Sequence, residues 1–147
     1  MLPQPLVDKI KEIYAVNAFM HLCDLQLAHI DKGEACVELR INDLKHTNTH
    51  HLLHGGLITT MMDNATGFAG ASIGKRVVTV SMTVDFIKTA GPGSLLQATA
   101  KVVRLEEQKV YMDMKVVNQD TGEVLAIGTS VMLSVKDIPG FPQEDTY

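Results

Sequence analysis

A single carboxylate, Asp63, interrupts the stretch NTHHLLHGGLITTMMDNATGFAG, residues 48–70. A carboxylate in such a position can take a proton from water as a general base or attack a carbonyl as a nucleophile. Eight residues earlier stand Gly55 and Gly56. If a helix starts there, their backbone N–H groups are unpaired and lie at the positive end of its dipole, where they can stabilise an oxyanion. Eight residues of helix span about 12 Å, too far for both groups to serve one carbonyl within one chain. Two such helices running antiparallel across a twofold axis would bring Gly55 of one beside Asp63 of the other, so the spacing predicts an intersubunit site and a homodimer.

These groups need a helix to carry them, and the pattern supplies one. Leu57, Ile58, Met61, Met62, Ala65, Phe68, Ala69 and Ile73 form one apolar stripe, predicting a helix over 57–73. Asp63 projects about 160° from the centre of that stripe. Its neighbours there are Thr59, Thr60, Thr66, Gly67, Gly70 and Gly74. Small residues in place of Lys or Glu imply that something approaches this face closely, either a second subunit or a ligand.

Around this helix the remaining chain alternates. Leu25, Leu27, Val37, Leu39 and Ile41 face inward on a hairpin turned at Asp31-Lys32-Gly33. Runs 77–87, 94–104, 109–117 and 124–134 read as a four-strand antiparallel meander. In the first, Val78, Val80, Met82, Val84 and Phe86 take one face, and Thr79, Ser81, Thr83 and Asp85 the other. A short amphipathic helix is expected at about 5–15 and an irregular tail at about 136–147. The whole is one α+β domain, 1–147, with an antiparallel sheet wrapped on a central helix.

Composition narrows the function. A net charge of −4 gives no basic footprint, so neither nucleic acid nor an anionic membrane is an expected partner. The N-terminus lacks the layout of a signal peptide, and Cys23 and Cys36 have no framework spacing. The expectation is a cytoplasmic protein with reduced thiols. His46, His50, His51 and His54 have no carboxylate or Cys at ligand spacing, so no metal is predicted. Five methionines, Met61, Met62, Met82, Met112 and Met114, are candidates for an adaptable apolar pocket as well as for core.

His46-Thr47-Asn48, His54-Gly55-Gly56, Asp63-Asn64 and TVSMTVDFIKTAGPG together resemble the hotdog-fold acyl-CoA thioesterases of the PaaI-like, phenylacetate-pathway type. The resemblance spans about residues 15–134. It implies a hotdog fold, dimers pairing into tetramers, an acyl-CoA substrate and no cofactor. It also implies that Asp63 is the catalytic acid residue, that the Gly55 N–H polarises the thioester carbonyl with Asn48 assisting, and that His54 positions the loop or thioester. Thr79 would orient the water. Gly56, Ser81, Met62 and Lys88 are the expected substrate contacts. Lys75, Arg76 and Arg104 are further candidates for coenzyme A phosphates, against the plainer reading of scattered surface charge. Where relatives often carry Gly-Thr, this chain has His51-Leu52-Leu53, which predicts a different pocket mouth. A non-catalytic acyl-CoA binder and a hydratase or dehydratase are the alternatives. A binder gains nothing from a buried carboxylate, and a hydratase would want a different acid–base spacing.

Overall fold

The computed structural model describes residues 1–141. Helices α1 (Gln4–Tyr14) and α2 (Ala18–Leu22) precede strands β1 (Gln26–Asp31) and β2 (Glu34–Arg40). The long helix α3 (Gly55–Ser72) follows, then β3 (Lys75–Phe86), β4 (Leu95–Glu106), β5 (Lys109–Asn118) and β6 (Val124–Asp137). The strands form one antiparallel six-stranded sheet in the order β1-β2-β4-β5-β6-β3, curved around α3 in the hotdog arrangement. No helix among the described residues is long and apolar enough to cross a membrane.

Two features of the topology differ from the sequence reading. The hairpin and the later strands belong to one sheet, because β2 pairs with β4 from Glu34 opposite Lys101 to Arg40 opposite Leu95. Only β4, β5 and β6 form a meander. The chain leaves β3 and crosses to β4, which pairs elsewhere, so β3 lies at the far edge, bonded to β6 alone. A periodicity of two reveals strands but does not rank their partners, and this order escaped it.

The core lies between α3 and the concave face of the sheet. Met61, Met62, Ala65 and Ala69 of α3 are fully buried, as are Val37, Leu96, Val110 and Val116. Burying each large apolar side chain contributes about 1.5–3 kcal/mol. The apolar stripe is therefore what seats the helix.

At Gly67 and Gly70 the small face of α3 is matched by this chain itself, which corrects the expectation of a partner or ligand at those two positions, whereas Thr59, Thr60 and Asp63 open onto a cleft. A Cβ at Gly70 would lie 2.8 Å from a methyl of Val77 on β3, and one at Gly67 would touch Tyr14 of α1. Gly74 ends the helix at φ +80°, a conformation that glycine adopts without strain. At the other end of the domain, β6 runs on to Asp137, further than expected, and Ile138 then tucks into the core. Residues 139–141 are irregular as anticipated, and the last part of the expected tail, 142–147, lies outside the described residues.

Candidate active site

Asp63 is exposed, halfway along α3, and its carboxylate accepts a hydrogen bond from the Thr79 hydroxyl of β3. The local register explains how a threonine reaches it. Val77, Val78 and Thr79 pair with Ser134, Leu133 and Met132, but Ser81 pairs with Val131, leaving Val80 as an extra residue in a β-bulge. Residues paired across an antiparallel ladder share a face. Thr79 thus lies with buried Met132 on the helix side, as do Met82 with buried Ser130 and Val84 with Gly128.

Ser81, paired with Val131, falls on the outer face. This corrects the expectation that Ser81 follows Thr79 along one face as a substrate contact, and with it the grouping of Val78 and Val80 with Met82. The bulge interrupts the alternation on which both readings relied.

The helix start is built by the loop before it. His46, 2% exposed, accepts the Asn42 N–H at Nδ1 (2.8 Å). That places the ring proton on Nε2, which donates to the Cys23 carbonyl at 2.8 Å. The His46 carbonyl accepts the His54 N–H at 2.9 Å, so a buried histidine fixes where α3 begins. Asn48 organises the intervening turn, its Oδ1 accepting from His50 N–H (2.8 Å) and more weakly from Leu52 N–H (3.3 Å). Asp43 accepts from Thr47 and His51, and these hydrogen bonds, His51's first, hold its carboxyl below the usual range.

His54 is the N-cap of α3. Its Nδ1 accepts the Gly56 N–H at 2.8 Å, which leaves Nε2–H as a donor. Capping removes Gly56 from the pool of free donors. The Gly55 N–H has no hydrogen-bond partner among the described residues and stands at the positive end of the dipole. Phe86 packs close to Gly55, where an added Cβ would lie 3.4 Å from the ring.

Two separate groups of candidate residues therefore sit on one helix. Asp63 and Thr79 face a cleft of about 350 Å³ also lined by Phe19, Thr59, Thr60, Asn64 and Met82. Asn48 and His54 line a separate depression with Asp43, Thr47, Thr49 and His51. From Gly55 to Asp63 the helix rises about 12 Å.

The family model of the thioesterase superfamily matches residues 50–125, which hold the Gly55 turn, Asp63 and Thr79. The chain belongs to the thioesterase superfamily. It is an enzyme, a thioester hydrolase at the level of the family, and it is similar to the PaaI-like members of that family. The acyl-coenzyme A thioesterase PaaI of Escherichia coli K12 is 29% identical over 107 residues, covering 73% of this chain and 76% of that protein. In fold, the E. coli PaaI protein from the phenylacetic acid degradation operon superposes with a TM-score of 0.86 at 24% identity, over 94% of this chain and 99% of that one. A hypothetical thioesterase from Streptococcus pneumoniae TIGR4, solved with coenzyme A, gives 0.73 at 20% identity over 78% and 90% of the two chains.

In this thioesterase the other anticipated contacts fall in varied places. Met62 is fully buried in the core and does not line the cleft beside Asp63; Met82, half-buried, does. Lys88 is engaged by Glu123, whose carboxyl it draws below the ordinary value. Lys75 pairs with Asp137, and Arg104 stacks on Tyr111 at 4.0 Å. The sequence reading passed over Phe19 and Asn17, and gave Asn64 no role beyond its place in the Asp63-Asn64 motif. A five-residue helix is too short for periodicity to register, although Asn17 ahead of it is an ordinary N-cap signal.

Proposed function

We propose that this chain hydrolyses an acyl-CoA thioester at a site shared by two copies, with Asp63 and Thr79 from one and the Gly55 N–H from the other. The observation that carries the reading is the separation of the two halves: a carboxylate held by a hydroxyl in mid-helix, and a free donor about 12 Å away at the helix start. An antiparallel pairing of two α3 helices about a twofold axis closes that gap at both ends at once.

In this scheme Thr79 donates to one carboxylate oxygen of Asp63 and accepts from a water through a lone pair. The second carboxylate oxygen takes the proton of that water as it attacks the thioester carbonyl. The oxyanion forms against the Gly55 N–H, strengthened by the helix dipole, with the Asn48 amide beside it. Collapse breaks the C–S bond, and the departing thiolate receives the proton held by Asp63, giving free acid and thiol. His54 supports the chemistry by fixing the first turn through Gly56, which leaves Nε2–H as a further donor beside Asn48 in the same depression. We place the reaction in the cytoplasm, in a dimer that pairs again into a tetramer. The free thiols Cys23 and Cys36 suit that compartment, and the E. coli relative named for acyl-CoA supports the substrate.

The test is thiol release from a panel of acyl-CoAs, comparing the wild type with Asp63→Asn, which keeps shape and removes the base. The expected result is a fall in kcat of about a hundredfold or more, with thioester binding retained. Equal turnover by the two proteins would overturn the assignment of Asp63. Tight binding with no turnover by either would identify a binder in place of an enzyme.

A further inference from the structure

We propose that Phe19 is a selectivity-determining residue of this reaction, forming the wall against which an apolar acyl group packs; the inference rests on the thioesterase reading above. Helices α1 and α2 are anchored to the domain at several points. Ile10 and Met20 are buried in the core, and the Tyr14 hydroxyl donates to the Gly67 carbonyl of α3 at 3.2 Å. Asn17 does two things at once: its Oδ1 caps α2 by accepting the Met20 N–H at 3.1 Å, and its Nδ2 donates to Asn64 Oδ1 at 3.0 Å. Asn64 is the residue next to Asp63. The short helix is thus tied directly to the part of α3 that carries the carboxylate.

Consecutive helical residues diverge by about 100°, so burying Met20 turns Phe19 away from the core. It turns into the cleft of Asp63 and Thr79, where the residue is 57% exposed. Exposure of one ring is ordinary on a protein surface, but this ring lines the cleft that holds Asp63, where it offers apolar surface to whatever enters. Met82, a flexible thioether suited to irregular apolar shapes, lines the same cleft. The cleft therefore has a polar part, where the reacting carbonyl belongs, and an apolar part that the chemistry does not use.

The experiment measures thiol release by the full chain from acetyl-, hexanoyl-, palmitoyl- and benzoyl-CoA, for the wild type, Phe19→Ala and Phe19→Leu. Circular dichroism and gel filtration accompany each protein. In Phe19→Ala, the ratio of kcat/KM for the best apolar acyl group to that for acetyl should fall about tenfold, chiefly through KM. Phe19→Leu should recover part of it. An unchanged ratio in an active enzyme overturns the inference and leaves the activity standing. A uniform loss on all thioesters together with a smaller oligomer would make Phe19 an interface residue, and also overturns it. A wild type that cleaves none of the panel overturns the proposed function, and the inference with it.

Discussion

Strands β5 and β3 face the same helix and are put to opposite uses. In β5 the alternation is regular: Val110, Met112, Met114 and Val116 are buried, while Lys109, Asp113 and Lys115 are exposed. It sits between β4 and β6, with both edges paired. β3 is an edge strand with no fully buried residue, and its alternation breaks at Val80. The break turns Thr79 toward Asp63 among apolar neighbours. One strand builds the core and the other, free of that duty, holds a polar group in an open cleft. Regular periodicity marks where stability resides, and its interruption marks where a side chain has been re-aimed.

This division makes unequal predictions for the two strands. The largest effect is on stability: Met112→Ala, at a fully enclosed position of β5, should lower the unfolding free energy by about 2–5 kcal/mol. Its kcat per folded molecule should stay within about twofold, measured by denaturant titration beside initial rates. A kcat that collapses while stability holds would break the comparison. On β3 the reverse is expected. Thr79→Val should reduce kcat by about tenfold to a hundredfold with the thermal midpoint nearly unmoved, through loss of the hydroxyl that orients Asp63 and its water. Ser81→Ala, across the bulge, should change kcat by less than about twofold, and a loss equal to that of Thr79→Val would mean that the bulge does not separate their faces.

The smallest effect concerns Glu123, an exposed residue whose carboxyl lies below its ordinary value because of the Lys88 hydrogen bond. A depressed folded pKa contributes stability above the unfolded value and loses it as pH falls through the folded one. The thermal midpoint of the wild type should therefore exceed that of Glu123→Gln slightly at pH 6, and the gap should close as the pH drops below about 4. A gap that persists in stronger acid would assign it to some cause other than the ion pair.

Much of this was legible in the residues. The apolar stripe located α3 to within two residues, and alternation found every strand, because both patterns record burial by one continuous core. The isolated Asp63 and the Gly pair stood out because a solvated helix face does not have that composition. What escaped depends on contacts distant in sequence. The edge position of β3 follows from pairing with β6, some fifty residues on. The extra residue at Val80 leaves an unbroken alternation of apolar and polar types, so the letters suggest a regular strand through Ser81. The small residues Gly67 and Gly70 were read as room for a partner, yet Tyr14 and Val77 of the same chain occupy it. Met62 fills the core because the stripe that seats α3 is wide enough to include it.

The central claim is that each site needs two chains, and hybrid dimers test it most directly. Gly55→Pro deletes the donor N–H at a helix position where proline is tolerated, and His54 before it already has the extended backbone that proline requires (φ −69°, ψ 129°). Alone it should lower kcat by about a hundredfold to a thousandfold, and Asp63→Asn alone should be similarly impaired. When the two variants are unfolded together and refolded as a mixture, half the dimers carry one chain of each kind. Each of those has one intact site, made of Asp63 from one chain and the Gly55 N–H from the other. The account predicts recovery to about one quarter of wild-type activity. A mixture no more active than its two components would contradict it and place the whole reaction within a single chain.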